Sequence, residues 1–341
     1  MRAEVEVLEP GLLTSVQDPF GRPGWRRYGV PVTGAADAFS ARLANRLVGN
    51  PDAATLLEVT LLGPTLRLTA PAAVGLAGAD LGAEVDRVPL APGRAMRVRA
   101  GATIRFGSAR RGLRAYLAFA GGIAEPIVLG SRATDLRSGF GGHEGRRLAA
   151  GDRLMLGDAR QRPLLRRARS LTDAPEGPIR VTKGPHVDRF AAGALDAILA
   201  TKWTVRVDSD RAGVRLDGAP LVHADPSSAE IAPVGLPLGA IQVPADGRPI
   251  LALVDRPVTG GYPVIACIAR ADVARVAQLG AGAEVRFAVV DVATAVAALR
   301  AREAELDDLE AADPPDEHAH GEPDAGDAEA DTDAGWAGSL D

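Results

Sequence analysis

Three stretches of the sequence gather side chains that could carry chemistry. In the first, residues 14–37 (TSVQDPFGRPGWRRYGVPVTGAAD), Gln17 and Asp18 offer an amide and a carboxylate, and Arg22 offers a planar fork suited to a carboxylate or phosphate. A rigid Gly/Pro-rich loop of this length is rarely a plain connector. The same residues also suit a structural job, in which Asp18 and Arg22 pin the loop to each other and Asp37 caps a helix. In the second, residues 129–137 (LGSRATDLR), Arg132, Thr134, Asp135 and Arg137 stand ahead of a glycine-rich run. They could hold an anion or form a mutual ion-pair set. The third joins residues 239–249 (GAIQVPADGRP) to 255–263 (DRPVTGGYP). There Gln242 falls beside a turn, and Thr259, Gly260, Gly261 and Tyr262 permit close backbone approach to a ligand. Lys183 and the segment 208–211 (DSDR) are weaker candidates, because solvated turns use the same residues.

Several chemistries are excluded. No GxxxxGK[ST] occurs, so the chain has no P-loop, and no GxSxG elbow is present. The run GFGGHEG at 139–145 lacks dinucleotide-binding spacing; it reads as a flexible turn or as a cradle of backbone N–H groups. The five histidines show no paired metal spacing, so no metal site is expected. Cys267 lies within the apolar run PVIACIA, which predicts a buried structural thiol. Neither of the two lysines, Lys183 and Lys202, stands in a biotin-attachment context, so no biotin is expected on this chain.

The elements that must position these clusters are mostly strands. Val5/Val7, Met96/Val98, Leu113 to Phe119 and Trp203/Val205/Val207 alternate with period two. One turn-then-strand pattern recurs at residues 100–106 (AGATIRF), 150–156 (AGDRLML) and 281–287 (AGAEVRF). Helices are few. Asp37 is a candidate cap for a helix carrying Phe39, Leu43 and Leu47, with Gly49 at its end, and Asp272 for one carrying Val273, Val276 and Leu279. Another is expected from Asp188 through Ile198, and a last one over Val296, Leu299, Leu306 and Leu309.

A length of 341 residues is enough for about two domains. Composition breaks divide the chain into a first β-rich subdomain over 1–160, a linker over 161–178, a second subdomain over 179–302 and an acidic tail over 303–341. The tail is expected to be disordered. It holds 15 of the 44 acidic side chains and none of the 39 Lys and Arg, which leaves 39 basic against 29 acidic residues, a net +10, on residues 1–302. A basic body suits an anionic partner. With aromatics at 4% and arginines scattered, nucleic acid is not the expected one. No apolar run approaches membrane-spanning length and the N-terminus shows no secretory core, so a cytoplasmic location is expected.

In their order, the motifs LEPGLLTSVQDPFGRPGWRRYGVPVTGAADAFSARLANRLVGN, GSRATDLRSGFGG, GAIQVPADGRPI and TGGYPVIACIARADVARVAQLG resemble the biotin-dependent carboxyltransferase family, over about residues 3–292. That resemblance implies a mainly β chain of two cyclophilin-like β-barrel subdomains. It also implies ATP-dependent opening of 5-oxo-L-proline to L-glutamate, carried out with 5-oxoprolinase subunits B and A, the ATP site lying on this chain or shared with those partners. Under it, Gln17, Asp18, Arg22 and Gln242 are the expected catalytic residues, with Arg22 or Arg132 on a carboxylate or phosphate. Gln17, Gln242 and the Thr259-Gly260-Gly261 loop would hold the lactam amide, and Asp18 would orient Arg22 or a water. Two other roles fit the same resemblance: carboxyl transfer from carboxybiotin to urea, and non-catalytic binding of a kinase inhibitor. The sequence departs from the family pattern at Pro19-Phe20, which lengthens the first loop by one residue, and at Ala133, where the pattern has serine.

Overall fold

A computed structural model describes residues 3–159, 164–167, 177–307 and 309–311. The first half contains β1 (Glu4–Glu9), β2 (Leu13–Gln17), α1 (Ala38–Leu47), β3 (Leu56–Thr60), β4 (Thr65–Leu68) and β5 (Ala72–Asp80). It continues with β6 (Glu84–Val85), β7 (Val88–Pro89), β8 (Arg94–Val98), β9 (Thr103–Arg105), β10 (Arg111–Phe119) and β11 (Arg153–Met155). These strands make two antiparallel sheets, ordered β11-β1-β4-β9-β6-β7 and β2-β3-β10-β5-β8. Period two decides what each face of β10 covers. Ala115, Leu117 and Phe119 enter the core between the sheets with Val5, Leu66 and Ile104, whereas Tyr116 and Ala118 face α1 with Leu43 and Leu47. The cap expected of Asp37 is present: its Oδ1 accepts from Ser40 N at 2.9 Å, and Gly49 ends the helix at φ 74°.

A short strand, β12 (Leu165–Arg167), precedes the second half, which runs through β13 (Ile179–Lys183), α2 (Ala194–Ala200), β14 (Trp203–Val205), β15 (Gly213–Asp217), β16 (Val234–Gly235), β17 (Ala240–Gln242) and β18 (Ile250–Ala252). It closes with β19 (Thr259–Gly260), β20 (Val264–Ile268), α3 (Val273–Ala277), β21 (Glu284–Val285), β22 (Phe287–Val289), α4 (Val292–Ala304) and β23 (Leu309–Ala311). Eight strands form one sheet in the order β21-β14-β15-β18-β17-β20-β13-β22. Its two edge strands are consecutive in the chain, separated by Arg286 alone, so the sheet curls into a nearly closed barrel. The interior is filled by Trp203, Val214, Ile241, Leu251, Ile265 and Phe287, among others. The chain is therefore mainly β, with two barrel-type subdomains, as the sequence led one to expect.

The threefold repeat is a shared structural device. Gly101, Gly151 and Gly282 all have left-handed φ (78°, 91° and 81°), and each donates its N–H across the turn at 2.8 Å, to Leu68 O, Val7 O and Val205 O respectively. Other expectations are corrected. Asp272 makes no cap bond to α3; its carboxylate is taken by Arg180 instead. The helix expected from Asp188 to Ile198 is interrupted, a 3-10 turn at Val187–Arg189 being separated from α2 by Gly193 at φ 84°. Val207 lies beyond β14 and is exposed. Leu309, assigned to a last helix, sits instead in β23, which pairs with β12 inside the segment expected to be a linker. The tail from residue 312 onward lies outside the described residues. Cys267 sits on β20 and is half-buried, and burial pushes its thiol up.

Candidate functional site

Six of the expected residues meet in one knot at the end of β2. Asp18 Oδ1 accepts from Gly21 N at 2.6 Å and Phe20 N at 3.2 Å, while Oδ2 accepts from Ser131 Oγ at 2.6 Å and Arg132 N at 2.9 Å. A single carboxylate thus staples two loops more than a hundred residues apart in sequence. Gln17 is fully buried, its Nε2 donating to Ser15 Oγ at 3.1 Å and Thr134 O at 3.2 Å. Arg22 is fully buried as well: Nη1 donates to Thr33 Oγ1 and Nη2 to Ala133 O, both at 2.5 Å, and the guanidinium lies 4.8 Å from the Phe140 ring centroid. Burial pushes the Arg22 guanidinium down, with Asp135, Asp18 and Asp255 acting the other way. Thr134 Oγ1 donates to Val16 O at 2.8 Å, Asp135 Oδ1 accepts from Arg137 N and Ser138 N, and Arg132 Nε donates to Glu125 O at 2.6 Å.

The glycine-rich run packs on this knot. A Cβ on Gly141 would lie 2.3 Å from Ala133 O, and one on Gly142 only 1.8 Å from Thr134 Oγ1, so residues 139–145 serve close backbone approach. Arg22 is consumed by the loop and presents no surface to a ligand, which corrects its expected role on a carboxylate or phosphate. Asp18 holds backbone and Ser131, without a bond to Arg22. Gln17 Oε1, Arg22 Nε and Asp135 Oδ2 have no partner in this knot.

The third stretch opens onto solvent. Gln242, Tyr262 and Arg137 line one cavity of about 490 Å³, which the second-barrel strands β15, β17 and β18 help to wall. Gln242 ends β17 and its Nε2 donates to Tyr262 O at 3.2 Å, which leaves the amide oxygen without a protein donor among the described hydrogen bonds. A Cβ on Gly260 would lie 2.5 Å from Gln242 Nε2, so a side chain there would push the amide from its present position. Thr259 and Gly260 form β19, paired with β16, and Tyr262 is 41% exposed. Arg137 reaches the cavity from the loop that Asp18 staples, so the knot positions one wall of the open site.

Another arginine of this cavity, Arg256, was not singled out from the sequence. Its Nε donates to Leu236 O at 2.9 Å and its Nη1 to Leu253 O at 3.0 Å, with no carboxylate bound. Arg26 Nη2, from the first barrel, donates to the same Leu236 oxygen at 2.7 Å. Burial first, and then the neighbouring charges of Arg26 and Arg270, push Arg256 down to about 10. Beneath the seam, Arg211 joins the barrels: it pairs with Glu58 on β3, binds Asp255 at 2.8 Å and donates to Gly34 O at 2.7 Å. Burial pushes the Asp255 carboxyl up against the pull of Arg211. Glu58 also accepts from Tyr116 OH and Ala36 N. A charged residue within the apolar strand 56–59 (LLEV) was the available signal for this network. Gln278 completes the seam, accepting from Leu113 N and Arg114 N and donating to Asp37 Oδ2 at 2.9 Å.

Comparison with known proteins agrees with this architecture. Residues 28–289 match the family model for the carboxyltransferase domain, subdomain A and B. The chain is similar to the C-type subunit of the 5-oxoprolinase of Escherichia coli strain K12, at 37% identity over 83% of this chain and 90% of that protein. It is also similar to the corresponding C-type subunit of Haemophilus influenzae, at 32% identity over 89% of this chain and 97% of that one. Among solved structures, the Kluyveromyces lactis urea carboxylase superposes with a TM-score of 0.83 at 32% identity, covering 89% of this chain and 29% of the larger protein.

Proposed function

The chain belongs to the carboxyltransferase family of subdomains A and B, and from that membership we propose that it is one subunit of an ATP-dependent 5-oxoprolinase, acting with A- and B-type partners to hydrolyse 5-oxo-L-proline to L-glutamate. The supporting observation is reciprocal coverage. The 5-oxoprolinase subunits match nearly end to end, whereas this chain spans only about a fifth of the urea amidolyase of Lachancea kluyveri.

The lactam would lie in the cavity of Gln242 and Tyr262. Its N–H would donate to Gln242 Oε1, and its carboxylate would lie against Arg137, whose guanidinium fork matches two oxygens, and against Nη2 of Arg256. Thr259, Gly260 and Gly261 do not line this cavity; Gly260 packs against the Gln242 amide that would hold the lactam. Asp18 acts at one remove: by holding Ser131 and Arg132 it sets the loop that delivers Arg137. A lactam amide is resonance-stabilised; ATP would supply a phosphoryl group to the lactam oxygen, so that water could add at that carbon and the ring C–N bond break with the nitrogen leaving as the amine, a second water then releasing phosphate from the acyl phosphate to give L-glutamate. In this reading the chain is inactive alone and works in the cytoplasm. No helix among the described residues is long and apolar enough to cross a membrane.

The alternative, a carboxyltransferase subunit of a urea carboxylase-like system, draws support from the TM-score of 0.83 to the Kluyveromyces lactis enzyme. The test is glutamate release from 5-oxo-L-proline and ATP, with the chain alone, with its B-type partner, and with both partners from the same genome. Release only in the three-way mixture is expected. A stable complex that releases none would move the assignment to carboxyl transfer or to regulation of a kinase inhibitor.

A further inference from the structure

A second cavity, of about 470 Å³, lies across the seam from the first and shares Arg256 with it. We infer that it binds a phosphorylated organic molecule, held by Arg256 and Arg270.

Charge pairing singles out these two arginines. Arg42, also on the wall, is held by Asp52 at 2.9 Å and Glu303 at 2.7 Å, while Arg302 pairs with Glu305 and lies over the Phe39 ring at 3.5 Å. Glu303 is the acidic residue of this wall, and both its oxygens accept from Arg42. The Arg270 guanidinium has no hydrogen bond or ion pair among the described residues, with the Glu303 carboxylate near enough to act on it electrostatically, and Arg256 touches only two carbonyl oxygens, which leaves Nη2 free. Two guanidiniums with no bonded carboxylate, facing one cavity, call for about two negative charges. A phosphate monoester carries roughly −1.5 to −2 near neutral pH, with three acceptor oxygens, where a carboxylate carries one charge. The remaining wall is apolar, with Phe20, Phe39, Val254 and Leu299 around the opening. An inorganic anion would leave that surface wet, whereas an organic body would cover it. A volume of this size suits a mononucleotide or a sugar or aryl phosphate.

The assignment rests on the proposed reaction only in taking a nucleotide as the first probe. If both hold, Arg256 stands between a phosphate on one side and the lactam carboxylate on the other.

The test is calorimetric titration of the full-length chain, in phosphate-free buffer, with ADP, phenyl phosphate, inorganic phosphate and adenosine. ADP is expected to bind and adenosine not to. Arg270→Gln is expected to weaken ADP at least about 10-fold with an unchanged melting temperature, since the Arg270 guanidinium makes no hydrogen bond or ion pair among the described residues. Phenyl phosphate binding as tightly as ADP also supports the site and makes the ligand a non-nucleotide organic phosphate. Inorganic phosphate equal to both would overturn the organic part of the inference. The same ADP affinity in wild type, Arg270→Gln and a folded Arg256→Gln/Arg270→Gln chain would overturn the site itself. Since binding is read without turnover, a chain that binds ADP within a complex releasing no glutamate sinks the oxoprolinase reading and leaves this site standing.

Discussion

The knot at the end of β2 and the cavity around Gln242 use the same residue types, a glutamine, arginines and permissive glycines, for opposite ends. In the knot Arg22 and Asp18 turn to backbone and neighbouring hydroxyls: Arg22 to Ala133 O and Thr33, Asp18 to three N–H groups and Ser131. In the cavity, Gln242 and Arg256 satisfy part of their hydrogen-bonding capacity on the fold and keep the rest toward open space. Residue type therefore does not separate a staple from a site. What separates them is whether the side chain borders a cavity: Asp18, Gln242 and Arg256 are similarly buried, and Gln242 and Arg256 line one.

The sharpest way to break this contrast is Arg22→Ala. It leaves Ala133 O without its buried donor and opens a void beside Phe140, so a loss of about 3–5 kcal/mol is expected in denaturant unfolding. An unchanged unfolding midpoint would mean the guanidinium is spare and free for a ligand.

Asp18→Ala should cost less, about 2–3 kcal/mol, because water can reach part of what it releases, and it should raise KM for the lactam through the loosened Arg137 loop. A kcat-only effect with intact stability would instead put Asp18 at the reacting atoms.

Asp272 in the second barrel extends the comparison to pH. Burial pushes its carboxyl up, but the bonds from Arg180 N, Nε and Nη2 outweigh this and hold it below the usual range. Its folded value is depressed, so its contribution is fully present above the ordinary value near ~3.9 and is lost as pH falls through the folded value. Asp272→Asn should therefore lower stability by about 1–2 kcal/mol at neutral pH and flatten the acid limb of the stability curve. An acid limb identical to wild type would refute the linkage.

At the other extreme, Gln242→Ala and Arg137→Ala should each move stability by less than about 1 kcal/mol while raising KM in the reconstituted complex about 10-fold. Wild-type KM in both variants would remove the cavity from the proposed mechanism.

Local rules carried the reading a long way. Asp37 followed by residues at helical spacing and Gly49 is a complete helix statement, and α1 obeys it. The three Ala-Gly segments predict a turn and then a strand, and in the structure each turn is made by a left-handed glycine. Asp272 has the same local look as Asp37, yet Arg180, from a strand 92 residues away, takes its carboxylate. The repeat shows why such local signals work: a turn and its strand are specified by adjacent residues.

By itself the sequence determined the strands, the first helix and its cap, the turn glycines and the family pattern, because each depends on residues within a few positions of one another. Only the tertiary structure decided which arginines are spent and which are free. Arg22 meets a carbonyl 111 residues away and Arg26 one 210 residues away, whereas the Arg270 guanidinium meets none among the described residues. A guanidinium's role is set by the oxygens that folding brings to it, and packing of the two barrels against each other chooses those oxygens.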